Sequence, residues 1–252
     1  EAARCLSCGV CSECQQCVYV CGVNAINHNM QPSERQLEVG AVVLAPGYEL
    51  YRAQLSEEFG WGRYPNVLTS IQFERLLSAS GPTAGHVQRP SDQRTPRRIA
   101  FQQCVGSRDD KVGRPYCSKI CCMYTAKQAI MLKEHDPSLQ SYVFYMDIRA
   151  GGRGYDEFIR RAQEAYGTQY LRGRVSRIYP ERDHVVVQGY DGLIGRPVEI
   201  EADLVVLATG VTAASGAVEL MQTLGISYDQ YGFINEAHVK LRPVETNTAG
   251  IY

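Results

Sequence analysis

Apolar positions in the middle of the chain alternate between strand-like and helix-like spacing. Short apolar runs at 98–103 and 141–146 are typical of buried strands. Ser118 is the expected N-cap of a helix between them. That helix carries an apolar stripe of Ile120, Met123, Ala126, Ala129 and Ile130. A strand, a helix and a second strand in this order predict a βαβ unit.

The rest of the chain continues this alternation. Helices are predicted over 70–80 and 155–166, and residues 81–96 are a predicted loop. Further strands are predicted at 37–47, 170–179, 185–188, 198–201 and 204–208. Helices and strands in this arrangement predict an open sheet of the α/β class.

Composition narrows the class of partner. The chain has 252 residues and a formal net charge of −1. A neutral chain lacks the basic surface that binds phosphates, so we expect no nucleic acid partner. No apolar run reaches the roughly 18 residues of a membrane span, so we expect no direct membrane insertion.

The cysteines carry the candidate chemistry. Six of the ten lie in the first 21 residues, and the other four lie between 104 and 122. A disulfide scaffold would spread its cysteines through a small domain. Two tight groups in a chain with a large core indicate metal binding in a reducing compartment, and we expect a cytoplasmic protein.

The first group has the spacing of a ferredoxin. Cys11, Cys14, Cys17 and Cys21 form a C-x2-C-x2-C-x3-C run, which is typical of iron–sulfur cluster ligands. Cys5 and Cys8 extend the two-residue spacing upstream, so the ligand frame is ambiguous. A structural zinc site and free thiols are the alternatives, but zinc sites usually separate their cysteine pairs further.

The second group occupies a strand-to-helix junction. A dinucleotide-binding βαβ unit would carry G-x-G-x-x-G there. This junction instead carries Cys104, Cys117, Cys121 and Cys122. A helix N-terminus favours an anionic group, including thiolate, so a cluster is one interpretation. Buried structural thiols and a redox-active pair are the others.

Several segments resemble the A-subunit of heterodisulfide reductase and its bacterial relatives. The most specific is CVGSRDDKVGRPYCSKICCMY, and RCLSCGVCSECQQCVYVCGVNAI is similar. The resemblance continues through EFGWGRYPNVLTSIQFERLLSASGPTAGHVQRPSD, MDIRAGGRGYDEFIRRAQE and EAHVKLRPVETNTAGIY. Together these segments cover nearly the whole chain.

The resemblance implies a fold and cofactors. The fold would be a thioredoxin-reductase-like FAD/NAD-binding Rossmann-type core with a partial ferredoxin-like module at its N-terminus. FAD and [4Fe-4S] clusters are the implied cofactors, and all ten cysteines are candidate ligands. Two strand-end turns match positions that approach the flavin: Ala45, Pro46 and Gly47, and Ala208, Thr209 and Gly210.

The same resemblance implies a division of the chain. We expect a ferredoxin-like module at 1–30, an FAD-domain segment with a connecting loop at 31–96, an NAD-binding-like domain at 97–200 and a return to the FAD domain at 201–252. The family's glycine-rich FAD motif is absent, so we expect an internal fragment that binds FAD weakly or not at all.

The expected function is electron transfer between FAD and clusters in an anaerobic complex. Partners would be iron–sulfur subunits and hydrogenase or dehydrogenase subunits, and electron bifurcation is an open possibility. An NAD(P)H-dependent flavin reductase similar to the glutamate synthase small subunit is one alternative. A cluster-bearing relay without catalysis is another. Asp147 is placed where an acidic residue could hold a ribose, but without the glycine loop we favour a structural role.

Overall fold

A computed structural model gives the fold and describes residues 16–252. Two compact units share this part of the chain, and the larger comprises Leu44–Ala249. The helices are α1 (Gln16–Tyr19), α2 (Ser70–Leu77), α3 (Cys121–His135), α4 (Tyr155–Glu164) and α5 (Ala217–Leu224). The strands are β1 (Tyr48–Leu50), β2 (Val67–Thr69), β3 (Arg98–Val105), β4 (Gln140–Tyr145), β5 (Gln169–Arg172), β6 (Val175–Glu181), β7 (His184–Asp191), β8 (Arg196–Ala202), β9 (Leu204–Thr209) and β10 (Val211–Ala213).

The larger unit is built on a parallel sheet. Its five strands lie in the order β2–β9–β3–β4–β5, and every neighbouring pair is parallel. The βαβ unit runs from β3 through α3 to β4, as predicted. The α/β class is therefore confirmed, with a Rossmann-like arrangement of strands and helices.

Side chains alternate across the sheet because successive residues of a strand point to opposite faces. Leu204 and Val206 pack on the helical side with Phe73 of α2. Val205 and Leu207 pack on the other side with Val187 of β7. That second side is covered by an antiparallel sheet of order β6–β7–β8, so the unit has three layers.

The prediction of a single strand over 170–179 is wrong, because this segment contributes two strands to two different sheets. Residues up to Arg172 belong to the parallel sheet, and the antiparallel sheet begins at Val175. Gly173 lies between the two strands, and only glycine fits there, since a Cβ would lie 1.6 Å from the Tyr190 carbonyl oxygen. The predicted strands at 185–188 and 198–201 are confirmed within β7 and β8.

Two other local predictions are corrected. Ser118 is not the N-cap of α3, which begins at Cys121 after Ile120. The predicted strand over 37–47 is also wrong, because only Val42 forms a bridge, and its partner is Ile251. A lone extended segment gains little from a single bridge, because strands are stabilised by ladders.

Within residues 16–252, no helix combines the length and apolar character that crossing a membrane requires.

Candidate metal and cofactor site

Cys104 lies in a bulge at the end of β3. Gln102 pairs with Leu207 and Val105 pairs with Thr209, so β3 has one more residue than β9 over this interval. Cys104 has a φ of 59°, in the left-handed region that a non-glycine residue occupies at a cost of about 1–2 kcal/mol. The bulge takes this thiol out of the regular ladder at the carboxyl edge of the sheet.

The loop after the bulge packs tightly against the end of β9. Ser118 Oγ accepts a hydrogen bond from the Val211 N–H at 2.9 Å and lies 3.0 Å from Ser107 Oγ. A Cβ on Gly210 would lie 2.8 Å from Ser118 Oγ and 3.0 Å from the Gly106 carbonyl oxygen. The Ser118 hydroxyl therefore joins two loops instead of capping α3.

The first turn of α3 brings two more thiols to this edge. Both are buried. Cys121 Sγ lies 3.8 Å from the Thr209 carbonyl oxygen, and Cys122 Sγ lies 3.8 Å from that of Asp147. Cys122 Sγ also accepts from the Arg149 N–H at 3.4 Å. The ends of β9 and β4 thus meet the start of α3 around these sulfurs.

Burial sets the acidity of this group. It raises the pKa of Cys104 to about 11, with Cys122 adding to the shift. It raises the pKa of Cys121 to about 12, and Cys104, Cys122 and Cys117 contribute. A reactive thiol has a lowered pKa, so these shifts argue against a redox-active pair. A metal could displace the retained protons, because metal binding deprotonates its thiol ligands.

The four thiols fit a cluster by chemical type, but their side chains do not converge on one point. No group of three or more His, Cys, Asp or Glu within residues 16–252 is arranged to hold a metal ion. Cys104 lines a cavity of about 270 Å³ with Gln102 and Gln103, whereas Cys117 lines other cavities. Ligation of one cluster by all four would require the loop between β3 and α3 to move.

Asp147 is an ion-pair centre beside this group. Its carboxylate lies 2.9 Å from Arg108, 3.5 Å from Arg172 and 3.8 Å from Arg149. The hydrogen bond from Arg108 lowers the pKa of Asp147. Three guanidinium groups around one carboxylate leave an excess of positive charge, which would stabilise an anionic cluster nearby.

The first cysteine group is described only in part. Cys5, Cys8, Cys11 and Cys14 lie outside the described residues. Cys17 is exposed, and its Sγ lies 3.4 Å from His28 Nε2. Cys21 Sγ accepts from the Ala25 N–H at 3.3 Å, and this hydrogen bond lowers the pKa of that thiol.

The two turns assigned to flavin contact are not brought together. Strands β1 and β10 are antiparallel, with Tyr48 opposite Ala213 and Leu50 opposite Val211. Gly47 and Gly210 therefore lie beyond opposite ends of this ladder, about 13 Å apart along the strand direction. Residues 45–47 are exposed, whereas residues 208–210 are buried against the second cysteine group.

Sequence reasoning missed two phenols near the second group. Tyr124 Oη donates to the Thr209 carbonyl at 2.9 Å, and Cys122 contributes to the raised pKa of Tyr170. Tyr124 follows Cys121 by three residues, a spacing that places both on one helix face. That spacing is a signal that the sequence carries. Tyr170 is brought in by sheet pairing and had no local signal.

Comparison with known proteins gives close relatives. No protein-family model matches the chain. The chain is 46% identical over 250 residues to the iron-sulfur A-subunit of the CoB–CoM heterodisulfide reductase of Methanocaldococcus jannaschii, covering 98% of this chain and 37% of that protein. It is 45% identical over 243 residues to the A-subunit of the H2:CoB-CoM heterodisulfide, ferredoxin reductase of Methanothermobacter marburgensis, covering 96% and 37%. It is 38% identical to the A-subunit of a ferredoxin/F420H2-dependent CoB-CoM heterodisulfide reductase of Methanosarcina acetivorans, covering 99% and 31%.

Solved structures give more distant similarities. Thioredoxin reductase from T. acidophilum matches 84% of this chain and 55% of its own, at 16% identity and a TM-score of 0.45. Thioredoxin reductase from Lactococcus lactis matches 84% and 55%, at 14% identity and a TM-score of 0.46.

These sequence relatives are named as reductase subunits, which places them in the oxidoreductase class. The chain is a homologue of the heterodisulfide reductase A-subunit. It spans about a third of the length of these relatives.

Proposed function

We propose that the chain is an electron-transfer segment of a heterodisulfide-reductase-type flavoprotein, with iron–sulfur clusters held by its two cysteine groups. Cys104, Cys117, Cys121 and Cys122 would hold one [4Fe-4S] cluster. A second iron–sulfur site would lie in the first group, with Cys11, Cys14, Cys17 and Cys21 as its ligands and Cys5 or Cys8 as further ligands. When bound, such clusters accept and release single electrons.

One observation carries the proposal for the second group. Four thiols from β3, the following loop and α3 lie within electrostatic reach of one another at the carboxyl edge of the sheet. Burial keeps these thiols protonated, and a metal would replace those protons, because metal binding deprotonates its thiol ligands. Iron would then supply the positive charge that buried thiolates need.

The chain's own residues would tune this site. The N-terminus of α3 favours thiolate at Cys121 and Cys122. Arg108 lies near Cys104 and Cys122 and lowers the pKa of both thiols, against a larger increase caused by burial. The Arg149 N–H donates to Cys122 Sγ. Such donors stabilise negative charge on sulfur and thereby influence reduction potential.

The packing of the loop supports a cluster over NAD(P)H at this edge. A dinucleotide needs glycines that let its pyrophosphate approach the backbone at the start of the helix. Here Ser107 and Ser118 fill the space against Gly210. These two serines thus occupy the space at the carboxyl edge of the sheet where a pyrophosphate would lie.

FAD belongs to the proposal through the resemblance to the heterodisulfide reductase A-subunit family rather than through a fitted site. The described residues contain no glycine loop at the strand-to-helix junction, and the two candidate turns lie at opposite ends of one ladder. We therefore derive no step through the flavin. Ala45, Pro46 and Gly47 are exposed and could contact it directly, whereas Ala208, Thr209 and Gly210 would act from behind the second cysteine group.

The names of the relatives denote one subunit of a larger reductase, so the proposal includes partner subunits. Iron–sulfur subunits and hydrogenase or dehydrogenase subunits are the proposed kinds. Bifurcation, in which an electron pair is split between a low-potential and a high-potential acceptor, a cytoplasmic location and anaerobic working conditions complete the proposal. The division of the chain at 1–30, 31–96, 97–200 and 201–252 remains part of it.

The test is anaerobic purification of the chain followed by iron, sulfide, zinc and flavin analysis. We expect about four irons and four sulfides for each cysteine group, and less than stoichiometric flavin. Cluster absorption should bleach with dithionite. Zinc in place of iron, or no metal, would refute the proposal.

The alternatives have separate outcomes. Stoichiometric flavin in the purified chain would contradict the expected weak binding. Bleaching of the flavin of the full-length protein by NADPH or NADH would favour the NAD(P)H-dependent reductase. Iron without flavin in the intact protein would favour a relay.

A further inference from the structure

The turn between β7 and β8 presents apolar side chains to solvent. Tyr190, Leu193 and Ile194 are 49%, 65% and 54% exposed, although turns are usually polar. Hydrogen bonds hold the turn in one conformation, because the Asp191 carboxylate accepts from the Leu193 N–H at 2.8 Å and the Asp191 carbonyl oxygen accepts from the Gly195 N–H at 2.9 Å. Three apolar side chains are therefore displayed on an ordered element.

Two arginines lie directly beside this turn. The Tyr190 N–H donates to the Arg174 carbonyl oxygen at 3.2 Å, and the Gly192 N–H donates to the Arg172 carbonyl oxygen at 2.7 Å. The side chains of Arg174 and Arg172 are 64% and 53% exposed. Arg196, the first residue of β8, is exposed as well. We call Arg172, Arg174, Tyr190, Leu193, Ile194 and Arg196 the hairpin surface.

The hairpin surface carries a surplus of positive charge. Arg172 is one of three arginines that share the Asp147 carboxylate. Arg174 lies 3.9 Å from Asp109, near the limit of an ion pair. Arg196 forms no ion pair within residues 16–252. The chain as a whole has a formal net charge of −1, so the surplus is a local property of this surface.

The size of the surplus distinguishes between kinds of partner. Glu58 and Lys111 line the same cavity as Arg174 and cancel each other, and the buried carboxylate of Asp191 offsets one arginine. Nucleic acid binding requires more cationic side chains than this leaves. An apolar centre with arginines around it is instead typical of protein interfaces, in which Tyr and Arg are enriched.

The charge of the surface indicates the chemistry of the partner. Complementary charges on the two sides of an interface speed association and select the partner. Arginines at the rim therefore favour a partner with carboxylates, and the aliphatic centre favours an apolar side chain between them.

The hairpin surface also lies close to the second cysteine group. The Arg172 guanidinium lies 3.5 Å from the Asp147 carboxylate, and the Asp147 carbonyl oxygen lies 3.8 Å from Cys122 Sγ. A protein docked on the hairpin surface would stand beside these thiols.

We propose that the hairpin surface docks a partner subunit through a face that carries carboxylates around an apolar side chain. This inference rests on the proposed function, which includes partner subunits. The docking itself requires no metal at the cysteines.

The experiment uses the intact protein and the iron–sulfur subunit that purifies with it in a stoichiometric complex. Affinity is measured by isothermal titration calorimetry at low salt. We expect Arg174→Glu and Leu193→Ser each to weaken binding about tenfold. Added NaCl should reduce the effect of Arg174→Glu but not that of Leu193→Ser, because salt screens exposed charges.

Arg160→Glu is the matched control. Arg160 is 59% exposed and pairs with a single aspartate, Asp156, as Arg174 pairs with Asp109. It lies on α4 rather than beside the turn. Reversal of its charge should leave the affinity unchanged.

A charge exchange tests the chemistry of the partner. Acidic residues of the bound subunit are replaced one at a time by lysine. We expect one replacement that weakens binding to the wild type and restores binding to Arg174→Glu, because the two opposite charges are then exchanged. If no replacement restores binding, the partner does not have the acidic face that we propose.

A purely structural role gives a different pattern. The Leu193 side chain is mostly exposed, so Leu193→Ser should leave the free energy of unfolding nearly unchanged. A loss of stability that parallels the loss of affinity would overturn the inference. Slow hydrogen exchange of the Ile194 amide in the intact protein without its partner would overturn it too, because the protein's own chain would then cover the surface.

The two proposals fail separately. If no subunit binds the wild type, the proposed complex is wrong and the inference fails with it. If a subunit binds the wild type, Arg174→Glu and Leu193→Ser with equal affinity, only the inference is overturned.

Discussion

The two cysteine groups differ in what holds them. Cys17 and Cys21 lie in and just after the short helix α1, and their described partners are close in sequence, at Ala25 and His28. The second group draws on β3, a loop and α3, and it contacts the ends of β4 and β9. The thiols of the first group are brought together by their spacing in the sequence, whereas those of the second are brought together by the folded sheet.

Their electrostatics differ in the same sense. Backbone N–H groups of Ala25 and Val23 lower the pKa of Cys21. Burial raises the pKa of Cys104, Cys121 and Cys122. The loop around Cys21 presents N–H groups that stabilise a thiolate, whereas the buried edge of the sheet excludes the water that would stabilise one. A metal at the second group would therefore have to displace protons that burial retains.

The largest expected effect separates the groups by composition. Cys121→Ser should remove about four irons and leave those of the first group. Cys17→Ser should do the reverse, because the two groups share no residue. Iron and sulfide analysis with EPR measures both.

Met123→Leu is the control for position, since Met123 also lies in the first turn of α3 but carries no thiol. A methionine-to-leucine change in a core is usually tolerated, so both sets of iron should remain. Loss of both sets from one serine substitution would contradict the separation.

A smaller effect should come from the packing beneath the second group. Gly210→Ala places a Cβ 2.8 Å from Ser118 Oγ and 2.9 Å from Ser107 Cβ. Overpacking of this kind costs about 1–3 kcal/mol. The free energy of unfolding from urea denaturation should fall by that amount, and iron should be lost only from the second group.

Gly151→Ala is the matched control, because no atom lies within 4 Å of a Cβ there. Its free energy of unfolding should be nearly that of the wild type. Equal destabilisation by both substitutions would show that the β9 turn is not a special contact.

An effect of similar size, confined to stability, is a pH dependence of the larger unit. Burial alone would raise the pKa of Asp203, but N–H groups of Arg97 and Arg98, at 2.7 and 2.9 Å, hold it below its usual range. His184 and Arg89 add to this. A lowered pKa stabilises the fold above the unfolded value of about 3.9, and that stabilisation is lost as the pH falls through the folded pKa.

Asp203→Asn should therefore destabilise cluster-free protein by about 1–3 kcal/mol at pH 7, and the difference from wild type should shrink below about pH 4. Urea denaturation at several pH values measures it. Asp156→Asn, which removes an exposed pair with Arg160, should change stability by less than about 1 kcal/mol. A pH-independent difference at Asp203 would contradict the assignment.

Much of the fold could be predicted because its signals are periodic. The βαβ unit around α3 followed from apolar spacing, and Ala126, Ala129 and Ile130 are buried as the stripe requires. The break at Gly173 could not be read in the same way. It depends on the approach of the Tyr190 carbonyl oxygen, which is distant in sequence.

The site divides similarly. Spacing identified Cys121 and Cys122 at a helix start, and the structure places them in the first turn of α3. Local spacing predicts that the Ser118 hydroxyl caps the helix, but it bonds to Val211 across the sheet edge. Polar side chains near a loop have several possible partners, and tertiary packing decides among them.

The extra residue at Cys104 also changes the phase of its strand. Before it, Ala100 faces the antiparallel sheet and Phe101 faces the helices. After it, the odd-numbered Val105 faces the antiparallel sheet. Deletion of one residue here would turn Val105 toward the helices even if every cysteine were kept. Strand length is therefore a second marker of this site, and a one-residue gap at this position in a related chain would indicate its loss as clearly as a missing thiol.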